Sequence, residues 1–202
     1  MAKTNYLNKV EDAIAIDLET GGLNPNSNGI RSVGLYVSDD DYLYFLVKPE
    51  INLRYDAISE QVTGITEDQM EKEGVSESQA IEMIKEYLNA HKPSPDEKPF
   101  ICGQNLQFDL SFLEALFARN SRFVSFGELI NHHYLDSMHY KMFLSMINAY
   151  KGPIKLEESY EVITGKTHTA HNALEDAKAC KEEIIAIRDL AKKQKWNSVI
   201  NL

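Results

Sequence analysis

Cysteine is nearly missing from this chain. Cys102 and Cys180 are its only two; they lie far apart and lack the spacing of a metal-binding thiolate set. Both fall in apolar stretches, so we read them as reduced core thiols rather than a disulfide or a zinc clasp. Long hydrophobic runs are lacking too. No stretch approaches the ~18 apolar residues that a membrane-crossing helix needs, and Met1–Tyr6 carries no secretory-type apolar segment. The expected location is cytoplasmic, with no membrane contact. Internal repeats and low-complexity tracts are likewise missing. Positive charge is in deficit: 21 Lys and Arg against 31 Asp and Glu leave a formal net charge of −10. Proteins that grip long nucleic acids by their phosphates carry a basic face, so this balance weighs against extended duplex binding. It does not weigh against a site whose acids are cation ligands, because bound ions reverse the local field.

What the sequence does hold is centred on Ala13–Thr20, Ala-Ile-Ala-Ile-Asp17-Leu18-Glu19-Thr20, closed off by Gly21, Gly22 and Pro25. The β-branched apolar run predicts a buried strand. An unpaired carboxylate in such a strand costs several kcal/mol, yet two stand here. Two residues apart on a strand, they share one face at a spacing of about 7 Å. A divalent cation between them would offset their repulsion. A solvated strand end beside the Gly-Gly turn would serve as well, so the rest of the chain decides.

Two more strands follow, Ile30–Ser38 and Tyr42–Lys48, joined by the turn Asp39-Asp40-Asp41, which we read as solvated rather than metal-binding. Three strands with short connections predict an antiparallel meander. Short helices are expected at Ala57–Val62 and at Thr66–Lys72, the latter capped by Thr66 with Gln69 as its partner. Ser76–His91 has helical apolar spacing and a serine N-cap; Lys92–Lys98 is an exposed connector. Pro99–Gly103 reads as an interior strand running into Asn105, Phe108 and Asp109 at the start of a helix, where the dipole favours an acid. Val124–Tyr134 has no clear pattern, and its adjacent His132 and His133 point in different directions on any regular element. Leu135-Asp136-Ser137 closes a short strand and caps a helix Met138–Tyr150; another spans Lys155–Thr164 and ends at Gly165. After the loop Lys166–His171, a long helix is expected from Asn172 to about Lys195, with Ala173, Leu174, Ala177, Cys180, Ile184, Ile187 and Leu190 as its buried stripe. The cationic run Lys192-Lys193-Gln194-Lys195-Trp196 fits compensation of the helix C-terminal dipole. The pattern predicts one domain with a sizeable core, a mixed sheet with helices on its faces.

The acids at element ends are Asp17, Glu19, Asp109 and Asp176, with His171 just before the last. Such an oxygen-rich set suits Mg²⁺ or Mn²⁺ rather than zinc. Two such ions about 4 Å apart can activate water and stabilise the leaving oxygen of a phosphodiester. A histidine beside them can accept the water's proton.

Asp17-Leu18-Glu19-Thr20, Asn105-x-x-Phe108-Asp109 and His171-Asn172-Ala173-Leu174-Glu175-Asp176-Ala177 resemble, in order, the three motifs of the DEDDh-type, DnaQ-like 3′→5′ exonucleases. That superfamily includes the proofreading epsilon subunit of bacterial DNA polymerase III, ribonuclease T and oligoribonuclease. The likeness runs from about Ala13 to Ile187. It departs from the family where Gly21-Gly22-Leu23 replaces Thr-Gly-Leu and where Thr63 replaces the histidine of a Val-His-Gly-Ile-Thr segment. Leu135-Asp136-Ser137 stands where an Asp-Thr pair is common. The resemblance implies an α/β, ribonuclease H-like fold: a mixed five-stranded sheet, first three strands antiparallel, flanked by helices. It further implies a single exonuclease domain over residues 1–202, with its core at about 12–190.

In functional terms, the resemblance implies removal of 5′-mononucleotides from nucleic-acid 3′ ends with two divalent cations, Mg²⁺ or Mn²⁺. Asp17, Glu19 and Asp176 would hold the ion carrying the water, Asp17 would bridge to the second ion, and Asp109 would support that one. His171 would be the general base. Thr20, Gly21, Gly22 and Leu23 would seat the terminal nucleotide, with Asn105 and Phe108 shaping the pocket. The expected partner is a 3′ end, DNA ahead of RNA, with a polymerase or replication protein as a further candidate. An RNA-specific exoribonuclease and a non-catalytic polymerase accessory or nucleic-acid-binding module are the alternatives; the filled catalytic positions favour an enzyme.

Overall fold

In the computed structural model the described residues are 10–120 and 124–193. Ile14–Thr20 forms the central strand β1, which pairs antiparallel with β2 (Ile30–Ser38); β2 in turn pairs antiparallel with β3 (Asp41–Leu46). On its other side β1 runs parallel to β4 (Ile101–Gly103), and β4 runs parallel to β5 (Leu135–Asp136). The sheet order is β3-β2-β1-β4-β5, the expected mixed sheet with an antiparallel start. Helices α1 (Ala57–Thr63), α2 (Glu67–Glu73) and α3 (Glu77–Ala90) lie between β3 and β4, and α4 (Leu106–Asn120) between β4 and β5. Helices α5 (Ser137–Met146), α6 (Leu156–Thr164) and α7 (Ala173–Lys193) follow.

The alternation along β1 sets the layers. Ile14, Ile16 and Leu18 point into a core with Ile84 and Leu88 of α3 and Phe112, Leu113 and Leu116 of α4. Ala13 and Ala15 face the other way, packed with Cys102 and with Ala177, Cys180 and Ile184 of α7. Their small side chains let α7 lie close to the sheet, and the same face continues along the strand into Asp17 and Glu19. Opposite Asp17 on β2 stands Gly34. A Cβ there would come within 2.3 Å of the Ala173 carbonyl oxygen, so glycine admits the first turn of α7 against the strand.

Both cysteines are buried and unpaired, as expected. The aspartate turn is exposed, as expected, with Asp39 and Asp40 at the surface; there Asp39 accepts from Lys178 of α7, and Asp41 lies 2.8 Å from Nε2 of His91. Val124–Tyr134 contains a 3₁₀ turn at Phe126–Glu128, pinned by Glu114, whose carboxylate accepts the N–H groups of Phe126 and Gly127. The helix expected to reach Tyr150 stops at Met146, since Asn148 takes a left-handed φ of 57°. Of the cationic run, Gln194, Lys195 and Trp196 lie outside the described residues. Helices α5, α6 and α7 are joined by a buried polar cluster. Lys141 donates to Glu183 and Ser159 at 2.8 Å and to Gln104 at 2.9 Å.

Candidate active site

Four acids meet where the C-terminal end of β1 faces the first turns of α4 and α7. Carboxylate oxygens of Asp17, Glu19 and Asp176 lie within 4.8 Å of one another. Among the described residues this is the one group of acids, histidines or cysteines whose ligand atoms converge in this way. Asp109 stands beside it, buried, its Oδ1 accepting the Leu18 N–H at 3.0 Å. That bond ties α4 to β1 at the residue between the two strand acids. Near Glu19 and Thr20 the β1–β2 register shifts, a bulge of the kind that re-aims side chains at a strand end.

Burial and mutual repulsion raise all four carboxyl groups. Burial pushes the Asp17 carboxyl well above its usual range, and the charges of Asp109, Asp176 and Glu19 push it further. Glu19 is raised to about 7 by burial and then by Asp176. Burial raises Asp109 against the opposing Leu18 N–H; it raises Asp176 against the opposing bond from His168. An all-oxygen donor set with this much confined negative charge fits a hard divalent cation.

The elements around the acids are held by bonds that the sequence motifs do not spell out. Buried Asp136, at the end of β5, accepts the N–H groups of Asn105 and Leu106, each at 3.0 Å, and of Met138 at 2.9 Å. One carboxylate thus caps α4 and α5 together. It fixes Asn105, whose φ is 54°, and through it the turn carrying Phe108 and Asp109. Phe108 packs on Phe112 with ring centroids 5.0 Å apart.

After β1, Thr20 donates its hydroxyl to the Gly22 carbonyl at 2.7 Å, and the Gly21 carbonyl accepts the Asp56 N–H at 2.7 Å. Side chains at Gly21 and Gly22 would collide with Arg54 and with Asn28 and Asp56, so both glycines serve close approach. Buried Arg31 of β2 holds this neighbour in place by donating to the carbonyls of Ile65 and Asp56 and to the Ser59 hydroxyl. Leu23 leaves the turn 85% exposed, outside the core.

The two histidines before α7 divide differently from the sequence expectation. His171 has a left-handed φ of 66°, and its backbone N–H donates to Asp176 Oδ2 at 2.8 Å. Its half-exposed ring lies 3.8 Å from Glu157 of α6. The ring that touches the acids belongs to His168, with Nε2 2.8 Å from Asp176 Oδ1. Sequence reasoning missed His168, because Lys166–His171 has no periodicity to say which ring turns inward.

The sequence profile of the RNase_T exonuclease family matches residues 14–184. A curated relative, the 3′-5′ DNA exonuclease Cap18 of Escherichia coli, is 26% identical over 185 residues, covering 90% of this chain and 94% of its own. Among solved structures, E. coli exonuclease I in complex with a dT13 oligonucleotide superposes with a TM-score of 0.69 at 20% identity, over 92% of this chain and 42% of that one. Exonuclease I of Methylocaldum szegediense gives a TM-score of 0.70 at 20% identity, over 88% and 40% respectively. The zinc-bound form of the E. coli exonuclease I–ssDNA complex gives 0.73 at 20% identity, over 89% and 41%. At that identity the likeness is one of fold, and this chain spans about two fifths of those proteins. With the matched profile covering the sheet, all four acids and most of α7, the chain belongs to the RNase_T exonuclease family.

Proposed function

We propose that this protein is a 3′→5′ exonuclease that releases 5′-mononucleotides from single-stranded DNA ends with two divalent cations, Mg²⁺ or Mn²⁺. The observation that carries this reading is the convergence of Asp17, Glu19 and Asp176, from two distant parts of the chain, with Asp109 alongside. Those four residues would hold the cations. When bound, the ions supply an activated water and charge stabilisation for the leaving oxygen. The Thr20–Leu23 turn, braced from behind by Asp56 and Asn28, seats the terminal nucleotide, with Leu23 against its base. Asn105 and Phe108 shape the neighbouring wall. His171 takes the proton of the attacking water. Its main chain is bonded to Asp176, which keeps the residue next to the acids.

The choice of DNA over RNA follows the named substrate of the E. coli relative and the oligonucleotides in the exonuclease I complexes. A catalytic unit with its core at about 12–190 agrees with the extent of the profile match. The test is a panel of end-labelled single-stranded DNA, duplex DNA and short RNA with Mg²⁺ or Mn²⁺. Shortening from the 3′ end, fastest on single-stranded DNA, is expected. Asp17→Ala and Asp176→Ala should abolish it, and His171→Ala should lower turnover by roughly 10²–10⁴-fold. Full activity of Asp176→Ala would remove the metal assignment; equal turnover of His171→Ala would move the base elsewhere.

A further inference from the structure

We propose that His168 is a positioning residue that holds the Asp176 carboxylate in its cation-binding orientation. The proposal rests on the reading of Asp176 as a ligand, and it concerns a side chain outside the three motifs.

The two oxygens of Asp176 are anchored separately. Oδ2 accepts the His171 backbone N–H and Oδ1 meets His168 Nε2, both at 2.8 Å. A carboxylate can only accept, so the His168 tautomer that makes this bond carries its proton on Nε2. Each oxygen keeps a further lone pair for a cation, so the two bonds fix the plane of the carboxylate without consuming its ligand capacity. Without the second bond the group is free to turn about its terminal torsion, which for aspartate is broad. The orientation of an acid that must match Asp17 and Glu19 would then rest on one backbone N–H.

His168 is itself held. Its side chain is only 6% exposed, and its ring meets Tyr160 of α6 edge-on, 5.1 Å between centroids at 74°. The Tyr160 hydroxyl donates to Glu182 of α7 at 2.5 Å, and Glu182 also receives Lys166 at 2.8 Å. The chain Glu182–Tyr160–His168–Asp176 leaves α7, crosses to α6 and returns to α7 six residues nearer its start. It uses the seam between two packed helices to aim one carboxylate, in the way that outer-shell partners orient metal ligands.

The competing account is that His168 merely fills the seam, and two variants separate the accounts. His168→Phe keeps a ring against Tyr160 but has no donor. His168→Gln keeps an N–H donor but loses the ring. The readout is Mn²⁺ affinity of metal-free protein, followed by the electron paramagnetic resonance of free Mn²⁺, with circular dichroism to confirm folding. Positioning requires His168→Phe to bind Mn²⁺ about 10–100-fold more weakly, and His168→Gln to recover most of that loss. Wild-type affinity in His168→Phe, with affinity lost in Asp176→Ala, overturns the inference and leaves the ligand reading standing. Unchanged affinity in Asp176→Ala overturns both. A measurement on the unsubstituted protein guards against variants that fail to fold. In imidazole ¹⁵N spectra, His168 should show the Nε2-protonated tautomer with slow exchange of that proton; a freely exchanging ring overturns the proposal.

Discussion

Glu19 shows what four neighbouring acids cost the fold. Its ordinary value of 4.5 becomes about 7 in the folded chain. Between these values the folded protein binds a proton that the unfolded chain has released, so stability falls as pH rises through that window. Above pH 7 the loss from Glu19 is complete, about 3 kcal/mol, and the raised Asp17, Asp109 and Asp176 act in the same direction. Acids held low, such as Glu11 beside Arg188 and Asp41 beside His91, contribute in the opposite sense below their ordinary range and leave this window untouched. In a chelating buffer the melting temperature is therefore expected to be higher near pH 5 than near pH 8, with Mn²⁺ restoring much of the difference. Scanning calorimetry at the two pH values checks this; a flat profile in chelator would show that the carboxylates do not share a buried site. At this scale the acids were legible because strand period and helix start each leave a mark. The cap that Asp136 gives α5 was legible in the same way, but its reach to the N–H groups of Asn105 and Leu106 at the start of α4 leaves no mark. Nor does one exist for the ring directions of His168 and His171.

At the scale of elements, the approach of α7 to β2 decides whether Asp176 reaches Asp17. Gly34 permits that approach: an added Cβ would lie 2.3 Å from the Ala173 oxygen and 2.4 Å from its carbonyl carbon, both rigid main chain. Gly34→Ala is expected to lift the first turn of α7, destabilising by about 2 kcal/mol and lowering Tm by roughly 4–8 °C. It should also weaken Mn²⁺ binding, although Gly34 touches no ligand directly. Paired thermal melts and Mn²⁺ titrations test this, and unchanged values in both would mean that the helix end yields without disturbing the acids. Most element positions follow from apolar periodicity: β2 is found at the predicted Ile30–Ser38. The misses have local causes. β3 ends at Leu46, not Lys48: Val47 still donates to the Arg31 carbonyl of β2 but also forms an isolated parallel bridge with Val75. Leu190, expected in the buried stripe of α7, is 52% exposed. The buried positions 173, 177, 180, 184 and 187 repeat every seven residues in two series, so the next member is 191, and Leu190 falls one place off the face. Lys141, Lys181 and Glu183 look solvent-facing as residue types, yet all are buried with polar partners that only the folded chain supplies.

Across the whole molecule, a formal charge of −10 and a site built from carboxylates leave little with which to hold a polyanion along its length. Cations at the acid cluster would attract phosphate there, which suits recognition of a strand terminus. The order of strands and the packing of α7 on β1 and β2 bring the two halves of the site together; the motifs implied that the acids converge, not the strand order or the path of α7. Single-stranded binding loses affinity with salt at a slope of about 0.7 per neutralised phosphate. For a grip on roughly two terminal phosphates, log KM should rise with log salt at a slope near 1.4. Release between successive cuts is expected too, so excess unlabelled strand added after the start should stop the shortening of labelled DNA at once. Measurements of KM from 50 to 200 mM KCl and a trap experiment read the two consequences separately. A slope several times steeper, or shortening that continues through the trap, would show a longer contact path across the surface than the charge distribution supports.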